Sequence, residues 1–116
     1  IVLPFGSGTV TGGKFYYWAG LSWSQTDADS ENSSKGLIAY AKTSGSASAN
    51  RMLLQGIIYK ASHGFVLGVP LYLSTTQGDL QATAPSGTND VARVVGYSLD
   101  ANHIYFNPDN TWVKIA

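Results

Sequence analysis

Asp27, Asp29, Glu31 and Asn32 fall at nearly alternate positions, a spacing that lets oxygen ligands converge on one cation as calcium loops do. The rest of an EF-hand pattern is missing: no glycine sits at the centre and no glutamate at the twelfth position, so a solvated turn is the plainer reading. His63 and His103 are the only histidines, and neither has a second histidine or a cysteine at metal-ligand spacing. Both therefore read as structural. Serines are plentiful, yet no Gly-x-Ser-x-Gly elbow occurs, and Gly6-Ser7-Gly8 is too short to be one, so a Ser-His-Asp hydrolase is not expected. The acidic residues cluster in loops rather than at the ends of apolar strands, and no carboxylate pair singles itself out for glycoside cleavage. The expectation is a chain with no catalytic residue, no metal and no cofactor.

Aromatic side chains carry more information. Phe15, Tyr16, Tyr17, Trp18 and Trp23 lie close together, and alternation along a hairpin sends part of such a set to each face. Exposed rings stack on sugars or fill the centre of a subunit contact, whereas buried ones fill a small core. Tyr16, Trp18, Trp23, Tyr97 and Trp112 are the candidates for an interface or a glycan contact.

The elements that must position these residues are strands. No window of a dozen residues keeps an apolar recurrence at three and four, while short β-branched and aromatic runs alternate with Gly, Asn, Asp and Ser clusters. Strands are expected at 9–10, 14–18, 21–24, 37–42, 51–60, 70–74, 80–82, 91–99, 103–106 and 111–115. Turns are expected at Ala19-Gly20, Gln77-Gly78-Asp79, Asp100-Ala101-Asn102 and Asn107-Pro108-Asp109-Asn110. Residues 25–35 and 43–50 hold few large apolar side chains and read as loops. A self-comparison pairs Gly8, Val10, Gly12 and Phe15-Tyr16-Tyr17 with Gly64, Val66, Gly68 and Leu71-Tyr72-Leu73. With slight slippage it also pairs Leu37-Ile38-Ala39-Tyr40 with Val94-Val95-Gly96-Tyr97, the competing account being chance in a glycine-rich chain. One all-β domain over residues 1–116 is expected, a small antiparallel barrel or sandwich, with candidate pseudo-repeats at 1–57 and 58–116.

Composition narrows the setting. The 116 residues are 44% apolar but only 12% charged, about half the usual charged share. Hydroxyl, amide and glycine residues must make the surface, which suits a crowded assembly or a hydroxyl-rich β protein better than a cytosolic metabolic enzyme. Seven basic and seven acidic residues scattered singly give zero formal charge, so nucleic acid is not an expected partner. No apolar run is long enough for a membrane span and no export signal stands out. Cysteine is absent, excluding disulfides and thiolate metal sites. Ile1 in place of Met leads to the expectation that the chain is processed, trimmed or excised from something longer, and its N-terminus carries no functional meaning.

The second half carries a specific string: Gly68-Val69-Pro70-Leu71-Tyr72-Leu73-Ser74-Thr75-Thr76, Ala84-Pro85-Ser86-Gly87, Val91-Ala92-Arg93-Val94-Val95-Gly96-Tyr97, and residues 104–113, which read Ile-Tyr-Phe-Asn-Pro-Asp-Asn-Thr-Trp-Val. Over residues 64–115 it resembles the C-terminal β-module of bacteriophage tail-fibre and appendage proteins, and it is similar in layout to small capsid decoration domains. The first half matches more loosely, through Ser7-Gly8-Thr9-Val10, residues 27–29 and residues 51–56. These are turn and core residues, so the resemblance implies a fold and a context rather than a reaction. Within it Pro70 suits a first ladder position or an edge, Gly96 suits a bulge or a close backbone contact, and Trp112 would cap the core. The resemblance implies a virion structural protein, assembled in the host cytoplasm, whose partners are copies of itself, as a trimer, and other virion proteins, with a host surface glycan as a further partner. A capsid decoration protein and a carbohydrate-binding domain are the alternatives.

Overall fold

A computed structural model describes residues 2–3, 5–49 and 52–116. Ile1, and Arg51 at the head of the strand expected over 51–60, lie outside the described residues. The described chain is all-β. In chain order the strands are β1 (Val2–Leu3), β2 (Thr9–Val10), β3 (Phe15–Trp18), β4 (Trp23–Gln25), β5 (Ile38–Ala41), β6 (Gly45–Ser46) and β7 (Met52–Leu53). They continue with β8 (Gly56–Tyr59), β9 (Pro70–Leu73), β10 (Leu80–Gln81), β11 (Val91–Ala92), β12 (Val94–Asp100), β13 (His103–Phe106) and β14 (Val113–Lys114).

Two five-stranded antiparallel sheets form a sandwich, one in the order β1-β7-β5-β3-β4 and the other β8-β13-β12-β9-β10. Alternation fills the space between them. Phe15, Ile38, Tyr40 and Leu53 from the first sheet meet Ile58, Leu71, Leu73, Val95, Ile104 and Phe106 from the second. The ring centroid of Phe15 lies 4.9 Å from that of Tyr40 and 5.4 Å from that of Phe106, so one side chain ties the sheets together. The Lys14 to Asp79 ion pair, 2.7 Å, adds a half-exposed link between the halves.

The outer face of the first sheet has a second cover. Tyr16, Trp23, Ala39, Ala41 and Met52 point away from the sandwich core and are buried under Val10 and Ala47, carried by the small β2-β6 ribbon. Trp23 Nε1 donates to the Phe5 carbonyl at 2.8 Å, and the Thr11 amide donates to the Tyr16 hydroxyl at 2.7 Å, so these polar tips are satisfied inside the layer.

Several sequence expectations need correcting. Residues 51–60 do not make one strand: β7 belongs to the first sheet and β8 to the second, with the chain crossing at Leu54-Gln55. Gly56 allows that crossing, because its φ of 150° is one that other residues rarely adopt. Residues 91–99 likewise divide at Arg93 into β11, which pairs with β14, and β12. Within 43–50, read as loop, Gly45–Ser46 pairs with β2. The β3-β4 turn is centred on Gly20 and Leu21, φ 76° and 64°, one residue later than expected. Pro70 does open β9, and Gly96 does sit at a bulge.

Candidate functional site

Among the described residues the second sheet has only one covered face. On its outer side a continuous row runs across four strands, from Pro70 on β9 through Tyr97 on β12 and Tyr105 on β13 to Ile57 on β8. Next to it His103 pairs with Tyr59, and Tyr72 pairs with Val94. Ile57, Tyr59, Tyr97 and Leu99 remain 64%, 65%, 45% and 48% exposed. These four alone leave on the order of 500 Å2 open, at the upper end of the largest apolar patch on a typical monomer. No lysine, arginine or glutamate lies on these strands; Asp100, at the far end of β12, is the one acid.

Tyr97 owes its outward aim to a bulge. Val94 pairs with Tyr72 and Gly96 with the very next residue, Leu71, so Val95 and Gly96 together oppose one position on β9. Both face the core, and alternation resumes one residue out of phase, sending Tyr97 to the surface and Ser98 inside. A side chain at Gly96 would meet the Tyr105 carbonyl oxygen at 2.5 Å, so only glycine lets β13 approach here.

At one end of the face, His103 Nδ1 lies 2.8 Å from Asp100 Oδ1, and the Tyr59 ring stands edge-on to the imidazole at 5.4 Å. The Asp100 carboxyl is held below the usual range first by the Asn102 amide, 2.8 Å away, and then by His103. His63 stacks on Phe65 and accepts from the Phe65 amide at 3.0 Å, with its other nitrogen on the Asp100 carbonyl. Both histidines are thus engaged in turns.

The acidic run does not converge. The Asp29 amide donates to Asp27 Oδ1 at 3.2 Å, while Glu31 Oε2 accepts from Trp112 Nε1 at 3.4 Å. A hydrogen bond between the Asp27 and Asp29 side chains raises the Asp29 pKa, with slight desolvation and the Asp27 charge acting in the same direction. Among the described residues no group of three or more His, Cys, Asp or Glu side chains is placed to hold a metal ion.

The sequence candidates therefore separate. Tyr16 and Trp23 are buried beneath the β2-β6 ribbon and offer no ring face to a partner; Trp18 is half-buried beside them, 5.0 Å from Trp23. Tyr97 stands at the middle of the open face. Trp112 does not cap the sandwich core but packs against the guanidinium of Arg93. Ile57, Tyr59, Leu99 and Tyr105 were not among the candidates. The signal for them is that 56–59 and 103–106 are apolar at both alternations, which in so small a chain leaves one face needing cover. Comparison with known proteins adds no relative, since no family model, no curated protein and no solved structure matches the chain.

Proposed function

We propose that the chain is a non-enzymatic structural module of a bacteriophage particle, a tail-fibre or appendage domain that assembles with copies of itself through the outer face of the β8-β13-β12-β9 sheet. One observation carries the reading: a largely apolar sheet face, with Asp100 as its one acid, that nothing among the described residues covers and that the edge strand β8 borders. With the half-buried Tyr72, Tyr105 and His103 added, the face offers roughly 600–700 Å2, somewhat below the roughly 800 Å2 per partner of a standard interface. A second copy is a suitable occupant because the face carries almost no charge and so imposes no like-charge repulsion on a self-complementary contact. The phage context is supported by the string over residues 64–115, and the low charge of the whole chain agrees with life in an assembly.

Light scattering of the purified chain over a dilution series tests the reading. A species near three times 12.3 kDa is expected, as three copies suit a fibre axis. Tyr97→Lys, on the exposed face, should shift the population to monomer without unfolding it. Burying the exposed part of the Tyr97 ring contributes about 3 kcal/mol at ~25 cal/mol/Å2, so association should weaken by about a hundredfold. A chain that stays monomeric on concentration overturns the proposal.

A further inference from the structure

Beyond the proposed self-assembly, the end of the sandwich holds a buried cation with no direct ion pair among the described residues. Arg93, between β11 and β12, is only 2% exposed. Its Nε donates to the Asp109 carbonyl at 2.7 Å, its Nη1 donates to the Ser34 carbonyl at 2.8 Å, and its guanidinium carbon lies 5.4 Å from the centroid of the Trp112 ring. Among the described residues no carboxylate forms an ion pair with it. The carboxylate of Asp109, whose charge acts on the guanidinium, accepts instead from the Thr111 amide and hydroxyl, both at 3.0 Å. A buried cation without a carboxylate in contact is costly, by several kcal/mol in most proteins. Burial accordingly pushes the Arg93 pKa down, with the Asp109 charge opposing the shift.

A guanidinium has five N–H donors, and two are used here. The remaining amino group, Nη2, is not sealed in, for the only buried side-chain polar atom without a partner among the described residues is Ser98 Oγ. Arg93 instead lines an open cleft of about 510 Å3, shared with Trp112, Asn107, Asn110, Gln55 and the apolar Leu37 and Pro108. That combination has a definite chemistry. A planar cation matches a carboxylate through paired hydrogen bonds, amides match hydroxyls, and an indole with aliphatic neighbours matches the C–H face of a pyranose. A phosphate dianion would call for more than one cation, and no lysine or second arginine lines the cleft.

We propose that this cleft binds a carboxylated sugar of the hexuronate class, its carboxylate on Arg93, its ring against Trp112 and its hydroxyls on Asn107 and Asn110. The test is an NMR titration of the 15N-labelled chain, following the Trp112 indole N–H, identified by its loss in Trp112→Phe. Sodium galacturonate is the probe, with galactose and sodium acetate as comparators. A saturating shift with galacturonate is expected, at an affinity about tenfold or more above that for either comparator. Asn110→Asp, at an exposed turn position, supplies a carboxylate in place and should weaken galacturonate binding by about tenfold while leaving the rest of the spectrum unchanged. Arg93→Met should abolish binding, and the exposed variant preserves the test if that one does not fold. No saturating shift overturns the proposal. So does equal response to galactose, which removes the role of the charge, or to acetate, which would mark a general carboxylate pocket suited to a protein side chain.

Discussion

Replacing Gly96 by alanine perturbs the second sheet at the point where its outer face is set. The added Cβ would lie 2.5 Å from the Tyr105 carbonyl oxygen and 3.4 Å from the Phe106 Cα. Carbon and carbonyl oxygen rest at about 3.3 Å or more, so β12 and β13 must part by roughly 0.8 Å. The atoms in the way are backbone and cannot swing aside. Overpacking of this kind costs about 1–3 kcal/mol, and loosening about two neighbouring ladder hydrogen bonds adds about 1 kcal/mol each. The sum, about 3–5 kcal/mol, is a large share of the roughly 6–17 kcal/mol expected for a domain of this length. Gly36→Ala is the matched control: Gly36 has a φ of 76° but open space around its Cα, so alanine there costs about 1 kcal/mol through backbone strain alone. Urea unfolding followed by tryptophan fluorescence compares the two. With a slope of about 1.5 kcal/mol per molar, Gly96→Ala should lower the midpoint by about 2–3 M and the control by less than about 1 M. Equal midpoints would refute the steric argument, and with it the claim that glycine is what permits the bulge.

Two further outcomes follow from the same geometry. Ser98 is buried with its Oγ unpartnered, so Ser98→Ala should raise stability by about 1 kcal/mol in the same urea assay; a loss would mean that the hydroxyl has a partner. The aspartates give opposite pH signatures. Asp109 is held below its ordinary pKa first by the Thr111 amide and then by the Thr111 hydroxyl, so its contribution is present above the unfolded value near 3.8 and is lost as pH falls through the folded one. Asp29 is raised, so its contribution is present below the unfolded value and is lost as pH rises through the folded one. Thermal melts should therefore show Asp109→Asn weakened relative to the parent at neutral pH but not in acid, and Asp29→Asn strengthened at neutral pH but not in acid. The same sign for both would contradict the assigned partners.

How much of this was legible in the sequence depends on which interaction decided each feature. Strands such as Pro70–Leu73 and His103–Phe106 were readable because local alternation and flanking turn residues determine them. The division of 51–60 was not, because Leu54-Gln55 carries no turn signal and the crossing depends on which sheet each end can join. The pairing of Gly45–Ser46 with β2 was hidden for a similar reason: small polar residues enter a ladder only because Val10 and Ala47 must cover the first sheet. Arg93 was missed because arginine is ordinarily a surface residue whose head reaches water. Only the fold shows two backbone carbonyls meeting its guanidinium.

The two sheets share one strand order, with β1, β3, β4, β5 and β7 of the first standing where β8, β9, β10, β12 and β13 stand in the second. The residue pairs aligned in sequence occupy equivalent strands: Phe15 and Tyr17 point into the core from β3 as Leu71 and Leu73 do from β9, and Ile38 does from β5 as Val95 does from β12. The correspondence fails one step later. Tyr40 continues the alternation inward, whereas its counterpart Tyr97, one residue beyond the bulge, turns outward. The other faces differ to match. The first sheet carries small residues, Ala39 and Ala41, where a ribbon lies across it, and the second carries Tyr97, Tyr105 and Ile57 where nothing in the described chain does. Small side chains let a cover approach closely, while large apolar ones left open gain most from a cover supplied by another molecule. On this argument the same five-strand plan carries two different outer faces, one covered by the chain's own ribbon and the other left open among the described residues.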